Sequence, residues 1–353
     1  MTLSLLCLAG DGIGPEIMAA TKTVVAAACA KSGVAVTLTD RTIGFASLES
    51  GNSTLEEAVI AAALSADGII LGPVSHNDYP PREEGGLNPS GVLRKELDLY
   101  ANIRPAQSFT GLPTPTGRDV NLVIFRENLE GFYADRNLFA GSGEFMPVPG
   151  VAMAMRLITE RGSERIGRAA FDFAARNGRR KVTAVHKANV MRTSDGLFLD
   201  VIRRIAADHP AIGYEEILVD AAAALLVRDP GRFDVIVTTN MFGDILSDLA
   251  TELAGGLGLA ASLNLGAHNA AAQAQHGSAP DIAGQDRANP TSLIGSAAML
   301  LRHLGAAKAA SAIESALKTA LAHPETRTAD LGGPLGTRAF ASVLVKLIEE
   351  SYA

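Results

Sequence analysis

The chain has 353 residues, of which 47% are hydrophobic and 20% are charged. This length suits a two-lobed protein or one large domain, and this composition excludes extended disorder. The formal net charge is −7, with acidic and basic residues interspersed, so the basic face of a nucleic-acid-binding protein is not expected.

The first residues are apolar but run directly into Gly10-Asp11-Gly12, so we predict a first strand and not a signal peptide. No apolar run approaches the roughly 18 residues that a membrane helix needs, so no contact with a membrane is expected. Cys7 and Cys29 lie in apolar surroundings and are predicted to be reduced core residues, which favours the cytoplasm.

Strand-like and helix-like segments alternate along the chain. The predicted strands are Leu3–Ala9, Val34–Thr39, Gly68–Leu71, Asn121–Phe125, Val182–His186, Ile217–Val219 and Phe233–Thr238. The predicted helices are Pro15–Ala30, Leu55–Leu64, Ser163–Asn177, Gly243–Ala254, Thr291–Leu304 and Ala339–Tyr352. Irregular segments are predicted over His76–Ser90, Tyr133–Met155 and Ala267–Gln285. This alternation predicts α/β layers, and the absence of clean boundaries is compatible with a discontinuous domain.

Two aspartates on one predicted helix form the first candidate site. Asp244 and Asp248 are four residues apart, so their carboxylates share a face and repel each other unless a cation lies between them. Mg²⁺ or Mn²⁺ prefers such oxygen ligands. The alternative is a solvated helix face, but the pair follows the buried strand Val235–Thr238 and Asn240, and α/β proteins place ligands at strand ends. Asp220, which ends the predicted strand Ile217–Val219, could supply a third oxygen.

Three arginines near the ends of predicted elements form the second candidate. Arg94, Arg104 and Arg126 each carry a guanidinium group that can bind a carboxylate through two hydrogen bonds. If the three converge, they suit a polycarboxylate. Three separate surface ion pairs are the alternative interpretation.

Lys187 follows a predicted strand in Val185-His186-Lys187-Ala188-Asn189. Neighbouring positive charges would disfavour its ammonium form, and it could then accept a hydroxyl proton. An ordinary surface lysine is the alternative.

The segment His276–Gly284 is a loop of small residues, which allows backbone amides to approach phosphates. Its Asp281 could accept hydrogen bonds from both hydroxyls of an adenosine ribose and would repel a 2′-phosphate. A plain turn is the alternative. Gly10–Gly14 has the spacing G-x-G-x-G rather than G-x-G-x-x-G, so we do not predict a Rossmann fold.

Six motifs, taken in order, resemble the isocitrate/3-isopropylmalate dehydrogenase family of β-decarboxylating dehydrogenases. They cover nearly the whole chain and are far more specific together than any one alone. They lie at Gly10–Glu16 (GDGIGPE), Leu93–Pro105 (LRKELDLYANIRP), Arg126–Tyr133 (RENLEGFY), His186–Met191 (HKANVM), Asn240–Asp248 (NMFGDILSD) and His276–Pro290 (HGSAPDIAGQDRANP).

The resemblance implies a non-Rossmann α/β fold of two lobes that share a long mixed sheet. Residues 1–98 and 255–353 would form a discontinuous cofactor-binding lobe, and residues 99–254 a smaller lobe with the dimer interface. An arm at about residues 133–156 would clasp a second subunit. Each active site of the homodimer would then take Lys187, Asn189 and Asp220 from the partner.

The resemblance also assigns roles to residues. Asp220, Asp244 and Asp248 would bind Mg²⁺ or Mn²⁺, Lys187 would be the base, and Tyr133 would protonate the enol, with Asp220 counted in the catalytic set. Arg94, Arg104 and Arg126 would hold carboxylates, aided by Asn88, Ser90 and Asn189. The residues that would bind NAD are Ile13, His276, Gly277, Ser278, Ala279, Pro280, Asp281, Ile282 and Asn289. Aspartate at position 281, where NADP-dependent members carry a basic residue, implies NAD.

The substrate is expected to be a small 2-hydroxy polycarboxylate. Asn88 and Ser90 stand where isocitrate enzymes place polar residues for a distal carboxylate, and burying them against an isopropyl group would cost about 1–3 kcal/mol each. Isocitrate or homoisocitrate is therefore favoured over 3-isopropylmalate, tartrate or an alkyl-malate. A non-catalytic regulatory subunit is the alternative from another class, although regulatory subunits typically lack the metal or base residues. An RNA- or metabolite-binding protein has no positive support.

Two segments depart from the family pattern. Gln273-Ala274-Gln275 stands where an acidic residue usually precedes the motif at His276, after the alanine-rich stretch Ala260–Ala272. The segment Gly72–Tyr79 on the nicotinamide side lacks the usual glycine-rich pattern.

Overall fold

The computed structural model of the protein describes residues 1–133, 138 and 141–350. The chain forms two compact units, each of which is assembled from separate segments. Unit 1 contains residues 1–97, 109–113 and 255–353, and unit 2 contains residues 98–108 and 114–254. The functional division into a cofactor-binding lobe and a dimerisation lobe stays a prediction.

The strands and helices alternate along the chain. The strands are β1 (Thr2–Leu8), β2 (Ala35–Arg41), β3 (Gly68–Leu71), β4 (Ala101–Gln107), β5 (Asn121–Glu127), β6 (Glu144–Val148), β7 (Val151–Ala154), β8 (Lys181–His186), β9 (Gly213–Leu218), β10 (Val235–Thr238), β11 (Leu263–Leu265) and β12 (Ala270–Gln273). The helices are α1 (Gly14–Lys31), α2 (Phe45–Ser50), α3 (Glu57–Ser65), α4 (Pro89–Glu96), α5 (Glu160–Arg176), α6 (Ser194–Ala207), α7 (Val219–Arg228), α8 (Asn240–Ala254), α9 (Thr291–His303), α10 (Ala307–Ala322) and α11 (Thr337–Glu350).

Unit 1 is built on five strands in the order β2-β1-β3-β12-β11. The first three pairings are parallel, and β11 runs antiparallel to β12. Ile17 and Val24 of α1 pack with Ile313 of α10 and Phe340 of α11 in one core. The turn from β1 into α1 requires Gly14, because a Cβ there would lie 2.0 Å from the carbonyl oxygen of Ala9.

Unit 2 is built on five strands in the order β4-β5-β10-β8-β9. The pairing of β4 with β5 is antiparallel and the others are parallel, so the strand pairings of this unit are also mixed. Ile124, Val185, Ile236 and Leu246 form its core with α7 and α8. The strands of neither unit have the order 3-2-1-4-5-6 of a Rossmann fold.

Four sequence predictions about elements were wrong, one of which is the irregular segment Tyr133–Met155, since it contains β6 and β7. Asp220 does not end a strand: β9 ends at Leu218, and Asp220 lies in the first turn of α7, whose alanine- and leucine-rich sequence favours a helix. The segment Ala267–Gln285 contains β12, where small apolar side chains fill a buried strand beside β3. The segment His76–Ser90 already includes the start of α4, with Asn88 as the N-cap and Pro89 in the first turn.

The predicted arm is only partly described. Residues 134–137 and 139–140 of this segment, and Tyr352 at the end of the last predicted helix, lie outside the described residues. Within the arm, β6 and β7 form an antiparallel hairpin, which we call the arm hairpin. Its apolar side chains are exposed, namely Phe145, Met146, Val148, Val151 and Met153.

Both cysteines are buried and neither is in a disulfide, as predicted. Burial raises the pKa of Cys7 to about 11, which keeps its thiol protonated at neutral pH. None of the helices in the described part of the chain combines the length and apolar character of a transmembrane span.

Candidate active site

Asp244 and Asp248 lie on α8, directly after β10. The Nη1 atom of Arg104 lies 3.2 Å from a carboxylate oxygen of each aspartate. The cation expected between the two carboxylates is therefore, within this chain, the guanidinium group of Arg104. The aspartate side chains remain 41% and 52% exposed. Their oxygen atoms are therefore accessible to a ligand.

Arg126 at the end of β5 also pairs with Asp244. Its side chain is only 2% exposed, and Nη1 donates to a carboxylate oxygen of Asp244. Its Nε donates to Oδ1 of Asn240 at 2.9 Å. Gly243 makes this packing possible, because a Cβ there would lie 2.7 Å from side-chain atoms of Arg126. The fold thus holds Arg126 rigidly beside Asp244.

Tyr133 belongs to the same cluster. Its hydroxyl accepts a hydrogen bond from Nη2 of Arg126 at 2.7 Å and lies 3.3 Å from Oδ2 of Asp244. We call Arg104, Arg126, Tyr133, Asp244 and Asp248 the arginine–aspartate cluster. It combines a phenolic proton donor, two cations and two accessible carboxylates in one unit.

Arg104 is held by residues that sequence reasoning did not assign. Its Nε donates to Oδ1 of Asn102 at 2.5 Å, and its Nη1 donates to Oγ of Ser247 at 2.7 Å. Burial, together with the neighbouring charge of Arg126, lowers the pKa of Arg104 to about 10, so the group stays charged at neutral pH. The position of Ser247 between the two aspartates was the only signal for its part in the site.

Lys187 and Asp220 form a second pair in unit 2. Nζ of Lys187 lies 2.5 Å from Oδ1 of Asp220, and this contact is the main cause of a lowered pKa of Asp220. The backbone N–H of Lys187 donates at 2.6 Å to Asp195, a fully buried carboxylate that also pairs with Arg156. Asp195 and Arg156 thus fix the turn after β8, and neither was predicted. Asn189 lies on the same turn and is exposed.

The described residues contain no group of three His, Cys, Asp or Glu side chains that could hold a metal. Asp220 is therefore not brought to Asp244 and Asp248 within one chain. The two aspartates on α8 fit the oxygen preference of Mg²⁺ or Mn²⁺, and their contact with Arg104 shows that the pair accepts a positive charge between its carboxylates.

Ser90 and Arg94 lie on α4 of unit 1. The Ser90 hydroxyl and the Arg94 guanidinium both contact the side-chain amide of Gln273, at the end of β12. Asn88 accepts a hydrogen bond from the N–H of Gly91 at 3.1 Å, so its oxygen caps the helix. The three substrate residues predicted before and on α4 therefore lie together.

The predicted cofactor loop contacts the first turn of the chain. The N–H of Ile13 donates to the carbonyl oxygen of Ser278 at 2.8 Å, and a Cβ on Gly12 would lie 2.0 Å from that oxygen. Ala279 adopts a positive φ of 38°, which starts the short turn Pro280–Ile282 that contains Asp281. Close packing of small residues thus brings the loop against Gly12 and Ile13.

Two further residues of the loop region have defined contacts. The side-chain nitrogen of Asn289 donates to Asp330 at 3.0 Å, which adds an unpredicted carboxylate next to the predicted adenosine residues. Burial is the main cause of a lowered pKa of His276, and Nδ1 lies 2.9 Å from the oxygen of Gly277. His276 is therefore neutral at pH 7.

Asp11 forms hydrogen bonds with three residues of other segments, and this role was not predicted from the sequence. Its carboxylate accepts from the N–H groups of Phe45 at 2.8 Å and Ser75 at 2.9 Å, and from the hydroxyl of Tyr79. The hydroxyls of Ser75 and Ser278 are 2.7 Å apart. The segment Gly72–Tyr79 is thereby joined to the cofactor loop.

Each unit combines parallel and antiparallel strands with helices, and in unit 2 carboxylates pair with buried arginines after a strand, an arrangement that suits the binding of an acidic ligand. The family model for isocitrate/isopropylmalate dehydrogenase matches residues 4–345. The chain belongs to this family and is an oxidoreductase.

Named relatives agree with this assignment. The chain is 42% identical over 343 residues to a mitochondrial regulatory subunit of NAD isocitrate dehydrogenase from Dictyostelium discoideum, covering 97% of this chain and 91% of that protein. It is 41% identical over 351 residues to an isocitrate/homoisocitrate dehydrogenase from Thermus thermophilus, covering 99% of each.

A crystal structure of isocitrate dehydrogenase from Methylococcus capsulatus superimposes with a TM-score of 0.89 at 41% identity, covering 99% of this chain and 100% of that one. The predicted fold of the isocitrate/isopropylmalate dehydrogenase type is therefore confirmed.

Proposed function

We propose that the protein catalyses the NAD-dependent, Mg²⁺- or Mn²⁺-dependent oxidative decarboxylation of a 2-hydroxy polycarboxylate of the isocitrate or homoisocitrate type. The observation that carries this proposal is the arginine–aspartate cluster, in which buried cations and accessible carboxylates lie beside a tyrosine hydroxyl. 3-Isopropylmalate, tartrate and an alkyl-malate are the alternative substrates.

The metal ligands in this proposal are Asp244 and Asp248 of one protomer, together with Asp220 contributed by its partner. Each is partly exposed and each pairs with a cation in the isolated chain, which supports a role in holding a metal ion. When bound, the divalent cation polarises the substrate hydroxyl and the adjacent carboxylate, and NAD accepts the hydride.

Protein side chains perform the proton transfers, Lys187 being contributed by the partner protomer and Tyr133 by the protomer that holds Asp244. Lys187 accepts the proton of the 2-hydroxyl group, and its contact with Asp220 offers a route by which that proton leaves. Tyr133 donates a proton to the carbon that loses CO2, and Arg126 positions its hydroxyl. Arg94, Arg104 and Arg126 hold the carboxylates of the substrate, with Asn189 contributed by the partner.

The cofactor binds to unit 1 in this proposal. Ile13, Asn289 and the loop from His276 to Ile282 hold its adenosine portion, supported by the hydrogen bond between Ile13 and Ser278. The exposed carboxylate of Asp281 accepts hydrogen bonds from the ribose hydroxyls, so NAD is preferred over NADP. Residues 1–98 and 255–353 would be the cofactor-binding lobe.

The working assembly in this proposal is a homodimer with shared active sites. The exposed apolar side chains of the arm hairpin support it, because a patch of this kind is typical of a protein–protein interface. Ile245 adds support, since its side chain is 59% exposed directly beside Asp244. Two reduced, buried cysteines support a cytoplasmic location.

A non-catalytic regulatory subunit is the second candidate, because one relative carries that name at 42% identity. The side chains present in this chain favour a catalytic subunit over a regulatory one. Lys187, Tyr133, Asp220, Asp244 and Asp248 are all present, and Tyr133 contacts both Arg126 and Asp244.

The deciding experiment measures NADH formation from isocitrate, homoisocitrate, tartrate and 3-isopropylmalate, with Mn²⁺ or with EDTA. We expect Mn²⁺-dependent turnover with a preference for isocitrate or homoisocitrate. Activity that persists in EDTA would remove the metal from the proposal. A folded dimer that turns over none of the four acids would favour the regulatory role.

A further inference from the structure

Arg156 lies two residues after β7 and carries a buried guanidinium group. Its side chain is 8% exposed, and its Nη1 atom donates to Oδ1 of Asp195 at 2.5 Å and to Oγ of Ser194 at 2.9 Å. Asp195 is fully buried in the first turn of α6. A buried carboxylate has to be paired, so Asp195 depends on Arg156 for its counter-charge inside unit 2.

Asp195 also holds the backbone of the turn that carries Lys187. Its second oxygen, Oδ2, accepts a hydrogen bond from the N–H of Lys187 at 2.6 Å. At the other end of the turn, the carbonyl oxygen of Met191 accepts from the N–H of Asp195 at 3.0 Å. The turn from residue 187 to residue 191 is therefore bonded at both ends to the start of α6. The place of the Lys187 side chain follows from the place of this turn.

The other side of the Arg156 guanidinium group is anchored near the start of α8. Nη2 donates to Oγ1 of Thr239 at 3.0 Å, and Thr239 is buried and directly precedes α8. The guanidinium carbon also lies 5.6 Å from the centre of the Phe242 ring and 5.9 Å from that of Phe132. These contacts restrict the orientation of the planar group, which in turn fixes the carboxylate of Asp195.

We infer that Arg156 is a positioning residue for Lys187 and acts on it through the carboxylate of Asp195. This inference rests on the proposed function, because that function makes Lys187 the base. Proton transfer requires the base to lie within about 2.6–3.2 Å of the hydroxyl oxygen, so a displaced turn slows the chemical step. The residues proposed to bind NAD lie in unit 1, so the loss of Arg156 should leave NAD binding unaltered.

Amide hydrogen exchange tests the structural link without any turnover. In Arg156→Met the N–H of Lys187 loses its fixed acceptor, so exchange over residues 187–191 should accelerate by a factor of about ten or more. Residues 222–228 of α7 are the internal reference and should exchange as in the wild type. Arg156→Lys keeps a charge beside Asp195 and supplies the same comparison if Arg156→Met does not fold.

Steady-state kinetics test the consequence for the reaction. We expect kcat to fall about a hundredfold in Arg156→Met and about tenfold in Arg156→Lys, which keeps the charge but lacks the planar fork, with the KM for NAD unchanged. Asp195→Asn should match Arg156→Met, and the double variant should lose little more. The control is Arg204→Met, which removes an exposed arginine of α6 and should leave kcat unaltered.

The two proposals fail in different ways. Unchanged exchange over residues 187–191, equal acceleration in α7, a rise in the KM for NAD or additive losses in the double variant would overturn the role of Arg156. Faster exchange confined to residues 187–191, in a protein that forms no NADH from any of the four acids, would support the link from Arg156 to the turn and refute the proposed reaction.

Discussion

Asp244 and Asp248 share one face of α8, but the fold depends on them differently. Arg126, whose side chain is 2% exposed, pairs with Asp244, whereas Asp248 pairs with Arg104 and is itself 52% exposed. In EDTA, Asp244→Asn should lower the free energy of unfolding by about 1–3 kcal/mol, because a buried cation loses its carboxylate. Asp248→Asn should cost less than about 1 kcal/mol.

Urea unfolding of both variants checks this difference, and Mn²⁺ titration supplies the second measurement. Both variants should lose at least tenfold in Mn²⁺ affinity, since each removes a charged ligand. Equal stability losses would contradict the buried pairing of Arg126 with Asp244. Undiminished Mn²⁺ binding by both variants would remove the two aspartates from the metal site.

Lys187 is the residue whose removal should affect the chemical step most directly. Lys187→Ala should lower kcat by a factor of about 10²–10⁴ with a small change in the KM for NAD, because a general base acts in the transition state. Lys318→Ala, at an exposed position of α10, is the control and should retain full activity. A Lys187→Ala enzyme with the rate of the wild type would refute the assigned base.

At the residue scale, local spacing predicted part of the cluster and not the rest. Asp244 and Asp248 could be paired from the sequence because the helical repeat alone places them on one face. The contact of Arg104 with Ser247 could not be predicted, because it joins β4 to a helix 143 residues away in the sequence. Three-dimensional packing, not sequence spacing, determines such contacts.

At the scale of elements, the hydrogen bonds of Asp11 join two loops and a helix of unit 1. Tyr79→Phe removes only the hydroxyl that donates to Asp11, while its ring remains packed on Phe45 at a centroid distance of 5.0 Å. The segment Gly72–Tyr79 should then be held less firmly beside Ser278. We expect the KM for NAD to rise about tenfold and the KM for the acid to stay unchanged.

Steady-state kinetics with either substrate varied checks the effect of Tyr79→Phe. Tyr214→Phe is the matched control, because Tyr214 also donates to a carboxylate, that of Glu216 at 2.9 Å in unit 2. It should leave both KM values unaltered. A rise in the KM for the acid alone would contradict the assignment of this segment to the cofactor.

Most elements could be predicted because hydrophobic periodicity and capping residues are local signals. The first helix is an example, since Pro15 and the glycines before it predict a start at Pro15, and the helix begins at Gly14. β12 was missed because alanine is depleted in strands, and only pairing with β3 makes that segment extended. Asp220 was predicted to end the strand Ile217–Val219, because the apolar run before it does not indicate that α7 begins at Val219.

At the scale of the whole molecule, the proposal requires two chains for each active site. Lys187 and Asp220 contact each other within one chain, and Arg126 and Tyr133 contact Asp244, but the described residues bring no third acidic ligand to Asp244 and Asp248. The two half-sites of one chain would therefore serve two different active sites of a homodimer. The exposed arm hairpin gives such a dimer an apolar surface to bury.

This arrangement predicts complementation between inactive variants. When Lys187→Ala and Asp244→Asn chains are coexpressed with different tags, a mixed dimer has one site with both substitutions and one native site. About a quarter of the wild-type activity should return, because about half of the dimers are mixed and each has one intact site. Activity is measured on the doubly tagged dimer and on the unseparated mixture.

The matched control is a mixture of Lys187→Ala and Asp220→Asn chains. Both substitutions lie in the same half-site, so each site of the mixed dimer carries one of them and no activity should return. Complementation by this pair as well would mean that the substitutions act through the fold and not through separate half-sites. Failure of the first pair to complement, in dimers shown to be mixed, would place each complete active site within a single chain.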